Sequence, residues 1–238
     1  MSTKNLIVLS GAGISAESGL GTFRDTGGLW EQYRIEEVAT PEAWKRNPKL
    51  VTEFYNMRRK QAYEAKPNNA HKIIAKLEHK FNVHVITQNI DDLHERAGSS
   101  SVLHLHGEIS KVKSSGPNAE KKYYKQEHWE VKIGDLCPEG YQLRPHVVWF
   151  GEAVPAMEEA FKIVTEADLF LVIGTSLNVY PAANLIYDIP ANVDCYLIDP
   201  ENVVVPSNFY HIKEKASKGM DAFLSIINQS VYNDSAEK

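Results

Sequence analysis

The sequence predicts an α/β fold, with a large domain built on a parallel sheet and a smaller domain inserted into it. Three observations predict this. Four apolar runs, "LIVLS" (6–10), "VHVIT" (83–87), "LFLVI" (169–173) and "CYLI" (195–198), are short and rich in Val, Ile and Leu, as strands buried on both faces must be. Each runs into a polar or glycine turn: Gly11-Ala12-Gly13, Gln88-Asn89-Ile90-Asp91, Gly174-Thr175-Ser176 and Asp199-Pro200-Glu201. The stretch from about His104 to Arg144 differs from these, mixing Lys, Gly and aromatics without a long apolar run, and reads as an inserted module.

In chain order, the first strand leads into Gly11-x-Gly13-x-x-Ala16, the Ala variant of a dinucleotide-binding fingerprint. Gly11 permits the tight turn, and Gly13 lets a pyrophosphate approach backbone amides near a helix N-terminus. The same turn can also join strand to helix with no ligand. A dehydrogenase unit reaches its second strand within about 30 residues and places an acidic ribose ligand about 20 residues past the glycines. Here the next strand starts at residue 83, behind "GTFRDTGGLW" and two helical stretches, and an insertion that long at a cofactor site is as a rule functional. "NPKLVTEFYNMRRKQAYEA" repeats apolar residues at helical spacing, and "NNAHKIIAKLEHK" begins after Pro67 with an Asn cap. The expected large domain therefore spans about 1–30, 68–103 and 145–238. The small domain comprises a helical part, 31–67, and the module 104–144. The tail "NQSVYNDSAEK" reads as a frayed end.

Composition excludes several classes of function. The 238 residues are 43% hydrophobic, enough for one substantial core and a small appended unit. A net charge of -5 and a pI near 6.0 disfavour nucleic acid as partner, because neutralising phosphates needs clustered Lys and Arg. Basic peptides suit this surface better. Two cysteines, no basic and apolar leader, and no apolar run near the roughly 20 residues of a membrane helix point to a reduced, cytoplasmic protein with no membrane partner.

Five motifs occur in order: "GAGISAESGLGTFRDTGGLW", "TQNIDDLHERAG", "LHLHGEI", "LRPHVVWFGE" and "GTSLNVYPAANL". Together they resemble the successive signatures of the sirtuins, NAD-dependent protein-lysine deacylases, from residue 6 to about residue 216. The resemblance implies a Rossmann-like large domain, a small domain made of insertions, and a substrate tunnel in the cleft between them. It implies that NAD is consumed as a co-substrate, its nicotinamide to ribose bond broken, so that no acidic residue in the dehydrogenase position is required. Gly11, Ala12, Gly13, Ser15, Ala16, Thr22, Phe23, Arg24 and Trp30 would then contact the cofactor; Arg24 by itself reads first as a surface residue paired with Asp25, and the resemblance turns it to the cofactor. Gln88 would approach the ribose, and Asn89, Ile90 and Asp91 would line the nicotinamide pocket. Gly174, Thr175, Ser176, Asp199, Glu201 and Ala216 would hold the adenosine half. Many sirtuins carry an Asn-Leu-Glu-like segment where Asp199-Pro200-Glu201 stands here, so backbone contacts are expected there rather than side-chain ones.

Catalysis points to His106, with Asn89 and Asp91. A neutral imidazole, with an intrinsic pKa of ~6.5, can take a proton from a ribose hydroxyl. His104 offers the same chemistry two residues away, and the family motif selects the histidine directly before glycine. By resemblance, the acyl oxygen of the substrate lysine attacks the ribose C1′ as nicotinamide leaves, giving an alkylimidate, and His106 activates a ribose hydroxyl to attack it. The products are lysine, nicotinamide and O-acyl-ADP-ribose. Val148, Trp149 and Phe150 would flank the acyl-lysine stem, while "VVWFGE" also reads as an aromatic core strand. Tyr55 and Arg58, three apart on a helix and so on one face, match the Tyr-x-x-Arg of the class that removes succinyl, malonyl and glutaryl groups. Ala39 corresponds to a small residue that widens its acyl pocket. Adjacent Arg59 shows that basic residues are common on this helix.

The module departs from the family. Most sirtuins close it with a four-cysteine zinc site, but here only Cys137 is present, with Ser114 and Ser115 about where the first pair would begin. No metal is expected, with a site from Cys137, His128 and carboxylates as the lesser alternative. Apolar packing of Tyr123, Tyr124, Trp129, Ile133 and Leu136 is the expected substitute. Two other functions remain open on sequence: an ADP-ribosyltransferase or NAD hydrolase using the same site, and a non-catalytic sensor of NAD or ADP-ribose.

Overall fold

The structure is a computed structural model that describes residues 3–22, 32–117, 122–126 and 128–236, the side chains of 229–236 excepted. Strands β1 (Asn5–Ser10), β2 (Asn82–Thr87) and β3 (Val102–His104) belong to the main sheet. Strands β4 (Gly107–Ser114), β5 (Tyr123–Lys125) and β6 (Leu143–Val147) form a separate antiparallel sheet in the order β5-β4-β6. Strands β7 (Leu169–Ile173), β8 (Asp194–Ile198) and β9 (Phe209–Ile212) complete the main sheet, whose order is β3-β2-β1-β7-β8-β9 with every pairing parallel. Two strands lie on one side of β1 and three on the other. That is the doubly wound Rossmann order, with its switch point between β1 and β7, where ligands bind beyond the carboxyl ends of the strands.

The four strands legible as apolar runs are the four central ones. The two that were missed, β3 and β9, are the edges. β3 is half-buried throughout and β9 only partly covered, so neither needs a continuous apolar run. Helices cover both faces. Leu6, Val8, Val83, Val85, Leu171 and Ile173 pack on α5 (Asn69–Leu77) and on Ala216, Met220, Phe223 and Ile227 of α8 (Ala216–Ala236). Ile7, Leu9, Ile86, Phe170, Val172 and Leu197 pack on α7 (Met157–Thr165) and a 3₁₀ helix, Ala182–Tyr187. The segment from Asn228, expected as a frayed end, continues α8 to Ala236. No helix among the described residues is long and apolar enough to cross a membrane.

The insertion after β1 contains α1 (Ala12–Ala16), α2 (Ile35–Val38), α3 (Pro41–Arg46) and α4 (Pro48–Glu64). Proline at the first position and an Asn47 side chain accepting from the Leu50 amide at 3.1 Å start α4 cleanly. Its apolar face, Val51, Phe54 and Tyr55, joins Val38, Ala39, Ile109, Val147 and Trp149 in a third core. At its other end Arg96, on α6 (Leu93–Ala97), donates to the carbonyls of Ala62 and Ala65.

The antiparallel module is not held by the apolar packing expected of it. Tyr123, Trp129, Ile133 and Leu136 are 48%, 41%, 51% and 56% exposed, and Tyr124 is half-buried. Only Tyr123 and Tyr124 lie on a strand; Trp129, Ile133 and Leu136 belong to the chain between β5 and β6. The buried side of the module is made of small aliphatics, Ile109, Val112 and Val131, and of a polar clamp from α4. Asn56 donates to the Val131 carbonyl at 2.7 Å and accepts from the Val131 amide at 2.9 Å. Arg59, 1% exposed, donates to the carbonyls of Ile109 at 2.7 Å and Trp129 at 3.0 Å.

Candidate active site

The turns after β1 and β7 interlock at the switch point. The Gly11 amide donates to Ile173 O at 3.1 Å, and that of Gly13 to Gly174 O at 2.8 Å. A Cβ on Gly13 would stand 2.7 Å from Gly174 Cα, and one on Gly174, whose φ is +63°, would stand 2.3 Å from Ile14 N. Glycine is thus required for one turn to pack on the other, a demand the fingerprint does not state. Ala12 is half-buried, and Ala16 is exposed at the end of α1.

Ser15, fully buried, ties this turn to the loop after β2. Its hydroxyl accepts from Asn89 Nδ2 at 3.1 Å and donates to Asp91 Oδ2 at 3.1 Å. Asp91 Oδ1 accepts from the Leu93 amide at 3.2 Å, yet burial pushes the Asp91 carboxyl above the usual carboxylate range. Gln88 donates through Nε2 to Thr175 Oγ1 at 3.0 Å, joining the β2 and β7 loops. Ile90 is half-buried, and its carbonyl accepts from the Ile109 amide at 2.7 Å.

His106 lies between β3 and β4, with Nδ1 3.0 Å from Gln88 O. A carbonyl only accepts, so Nδ1 carries the proton and Nε2 keeps its lone pair. Burial holds this imidazole below its usual pKa, against the pull of the Gln88 carbonyl, and it is neutral at neutral pH. Gly107 follows with φ +82°, and a Cβ there would stand 2.2 Å from His146 O. His104, which terminates β3, points to the same loop, its Nδ1 2.8 Å from Asn89 O and its Nε2 2.8 Å from Glu95 Oε1.

A polar cluster beneath the loop was not anticipated from the sequence. Ser10 donates to Thr87 at 2.8 Å and lies 3.0 Å from His94 Nε2, whose ring is 4.9 Å from that of His71. Thr87 Oγ1 in turn accepts from the Asn89 amide at 3.1 Å. Burial holds both imidazoles below their usual pKa, that of His71 at about 4. Ser10 and Thr87 end apolar strands, which was the available signal.

The other wall comes from the third core. Val148 donates its amide to His106 O at 2.9 Å, and Phe150 donates to Ala39 O at 3.0 Å. Trp149 is buried, with ring centroids 6.5 Å from Tyr55 and 5.8 Å from Trp44, and the Arg144 guanidinium lies 3.3 Å over it. Arg144 pairs with both Glu152 oxygens at 2.9 and 3.0 Å, and Glu152 accepts the Trp149 amide at 2.8 Å. This pins the 147–152 loop, so "VVWFGE" is half core and half wall: Trp149 packs inward, Val148 is half-buried and Phe150 is exposed. Burial pushes the Tyr55 hydroxyl up to about 12, so it stays protonated as a donor. Arg58 is half-buried on the same face, held below its usual range by burial, with Tyr55 and the Asp91 carboxylate close enough to act on it.

Asp199 is buried, but its carboxylate accepts from the Glu201 amide at 3.0 Å within its own turn, and Glu201 is exposed. Ser176 and Thr22 are half-buried, and Ala216 is buried at the start of α8. Phe23, Arg24 and Trp30 lie outside the described residues.

Zinc does not fit the module. Cys137 Sγ is 3.3 Å from Ser114 Oγ and 3.2 Å from Glu139 Oε2, while Glu139 pairs with Lys122 at 3.0 Å. One thiol, one hydroxyl and a carboxylate already neutralised by an ammonium are a poor donor set for a tetrahedral site. His128 is exposed, and among the described residues no three His, Cys, Asp or Glu side chains converge as metal ligands.

Residues 11–181 match the Sir2 family. An NAD-dependent protein deacylase of Bacteroides thetaiotaomicron is 55% identical over 229 residues, covering 94% of this chain and 98% of that protein. A Sir2 homologue solved with ADP-ribose superposes with a TM-score of 0.86 at 38% identity, over 97% of this chain and 94% of that one. Another Sir2 structure, holding a deacetylated p53 peptide and 3′-O-acetyl ADP-ribose, superposes at 0.75 with 30% identity, over 92% of each chain. Sequence, fold and the interlocked glycine turns agree, and the chain belongs to the Sir2 family.

Proposed function

We infer that the protein is an NAD-dependent protein-lysine deacylase that releases nicotinamide and O-acyl-ADP-ribose. The observation that carries this reading is His106: neutral, with Nδ1 committed to Gln88 O and Nε2 left to take a proton, beside the buried Asn89-Ser15-Asp91 group. In this reading the interlocked turns, Gly11 to Ser15 and Gly174 to Ser176, cradle the NAD phosphates and adenosine, with Phe23, Arg24 and Trp30 contributing by resemblance. Asn89 and Asp91 orient the nicotinamide ribose, and His106 removes a proton from its hydroxyl. Val148 and Phe150 flank the acyl-lysine, while Trp149 backs Tyr55. The Arg58 guanidinium and Tyr55 hydroxyl receive the distal carboxylate of succinyl and malonyl groups, and buried Ala39 leaves room for them. The catalytic unit divides into the large domain 1–30, 68–103 and 145–238 and the small domain 31–67 and 104–144. Two free cysteines suit a cytoplasmic setting.

The test is to incubate protein, NAD and matched acetyl-lysine and succinyl-lysine peptides, following nicotinamide and peptide mass. Peptide-dependent nicotinamide release with loss of the acyl group is the expected result. Release without peptide would make the protein a hydrolase, ADP-ribose added to peptide a transferase, and no release a sensor.

A further inference from the structure

His104 ends β3 and His106 lies in the turn that follows, their side chains on one face while Leu105 packs into the core. That face abuts the loop after β2, and the two imidazoles take successive carbonyls of it, Asn89 by His104 and Gln88 by His106. What distinguishes them is the second nitrogen. His104 Nε2 is 2.8 Å from Glu95 Oε1, on α6. A carbonyl and a carboxylate both only accept, so a neutral ring, which has one N–H, satisfies one of them. Both bonds form together only when the ring carries two protons. The ring is well covered, its side chain 7% exposed, so a lost bond is not readily replaced by water.

We propose that His104 is a positioning residue that acts as an imidazolium, bridging the Asn89 carbonyl to Glu95 and so fixing the loop that presents Asn89 to NAD, with an alkaline limit on NAD binding as the consequence. The proposal rests on the role of Asn89 inferred above. The surrounding charges favour it. Besides Glu95 on α6, Glu108 on β4 and Asp91 in the loop act on this ring or are acted on by it, and against them stands Lys111, itself paired with Glu108 at 2.6 Å. Neighbouring His94 is held neutral by burial. Burial opposes the charge on His104, but the Glu95 bond and charge and the Asn89 carbonyl outweigh it and leave the ring above its usual pKa. A group with a raised folded pKa holds its interaction at low pH and loses it as pH rises through that value. The bridge is therefore complete below that pKa and fails as pH rises through it.

The experiment compares the wild-type chain with Glu95→Gln, which keeps the shape of the side chain and removes its charge. Nitrogen-15 NMR of the histidine rings reads the protonation of His104 directly, and calorimetric titration with NAD from pH 6 to 9 reads the loop. Expected for the wild type are two N–H groups on His104 at pH 6 and an NAD affinity that weakens as this ring deprotonates. In Glu95→Gln both the ring titration and the weakening of NAD binding move down together by about one pH unit, which is a tenfold change in proton affinity. A role confined to stability would lower the melting temperature without moving that limb. A neutral His104 at pH 6 overturns the proposal, and so does an unmoved NAD profile in the variant or NAD binding absent from the wild type. Failure of deacylation with this pH-dependent binding intact would remove the proposed activity and leave the bridge standing.

Discussion

His106 and His104 carry the same side chain two positions apart, and their surroundings shift them in opposite directions. Burial holds the His106 imidazole below its usual pKa, whereas Glu95 and the Asn89 carbonyl raise that of His104 against burial. His106→Tyr should keep the fold and NAD affinity while lowering deacylation by roughly 10²- to 10⁴-fold, the usual worth of a general base. Single-turnover rates and calorimetric NAD binding check this, and a mutant above about a hundredth of the wild-type rate contradicts it. The acid side of the pH profile belongs to the same residue. A base works when neutral, so kcat/KM falls as pH drops through the His106 pKa, which lies below 6.5. Activity at pH 6.5 should accordingly remain above half its plateau, and a midpoint above that pH would assign the limb to another group. Arg58→Met tests the acyl reading. Charge-assisted hydrogen bonds of ~1.5 to 3 kcal/mol predict a roughly 10- to 100-fold loss of kcat/KM on succinyl peptide with deacetylation retained. An equal loss on both peptides would mean that Arg58 serves the fold or the NAD site.

At the scale of the element, α4 carries two pairs at the same i, i+3 spacing with different work. Tyr55 and Arg58 face the acyl wall, and Asn56 and Arg59, one residue on and so rotated by about 100°, clamp the antiparallel module. The adjacent arginines are therefore not interchangeable. Arg59 keeps its charge despite burial, which lowers its pKa to about 10, because three acceptors surround it: Ile109 O, Trp129 O and Asn56 Oδ1. Arg59→Met strands the Ile109 and Trp129 carbonyls and removes one of the two donors to Asn56 Oδ1, and should cost about 3 kcal/mol or more, with faster amide exchange at Val131, whose amide is held by Asn56. Both acyl substrates should suffer alike, in contrast to Arg58→Met. Denaturant unfolding and hydrogen exchange read the two effects, and unchanged exchange at Val131 would show that the clamp does not hold the module.

At the scale of the molecule, the described residues of the module offer a hydrogen-bonded cluster around Cys137 and a polar clamp from α4, a poor donor set for a tetrahedral metal. The purified protein should contain no stoichiometric zinc and keep its activity in strong chelator. Elemental analysis near one zinc per chain, the content of a structural tetrahedral site, would overturn this. The module's sequence offers large apolar residues, which usually mean a core, but Trp129, Ile133 and Leu136 lie in the chain between β5 and β6 and are exposed.

The sequence by itself determined the parallel sheet, because strands buried on both faces must be written as continuous apolar runs, and the glycine and polar turns after them, because their chemistry follows the chain. It determined the Tyr55/Arg58 face through helical spacing, and it distinguished His106 from His104 only through resemblance. Only the tertiary structure decided which surfaces meet. The edge strands β3 and β9, half in solvent, carry no obligatory pattern. The demand for glycine at Gly13 comes from Gly174, far along the chain. Asn89 and Asp91 are tied through Ser15, and the protonation of each histidine is set by carbonyls and carboxylates brought to it from other elements. Hydrophobic burial leaves a local, periodic trace in the sequence. Pairing between polar groups distant along the chain leaves none until the fold brings them together.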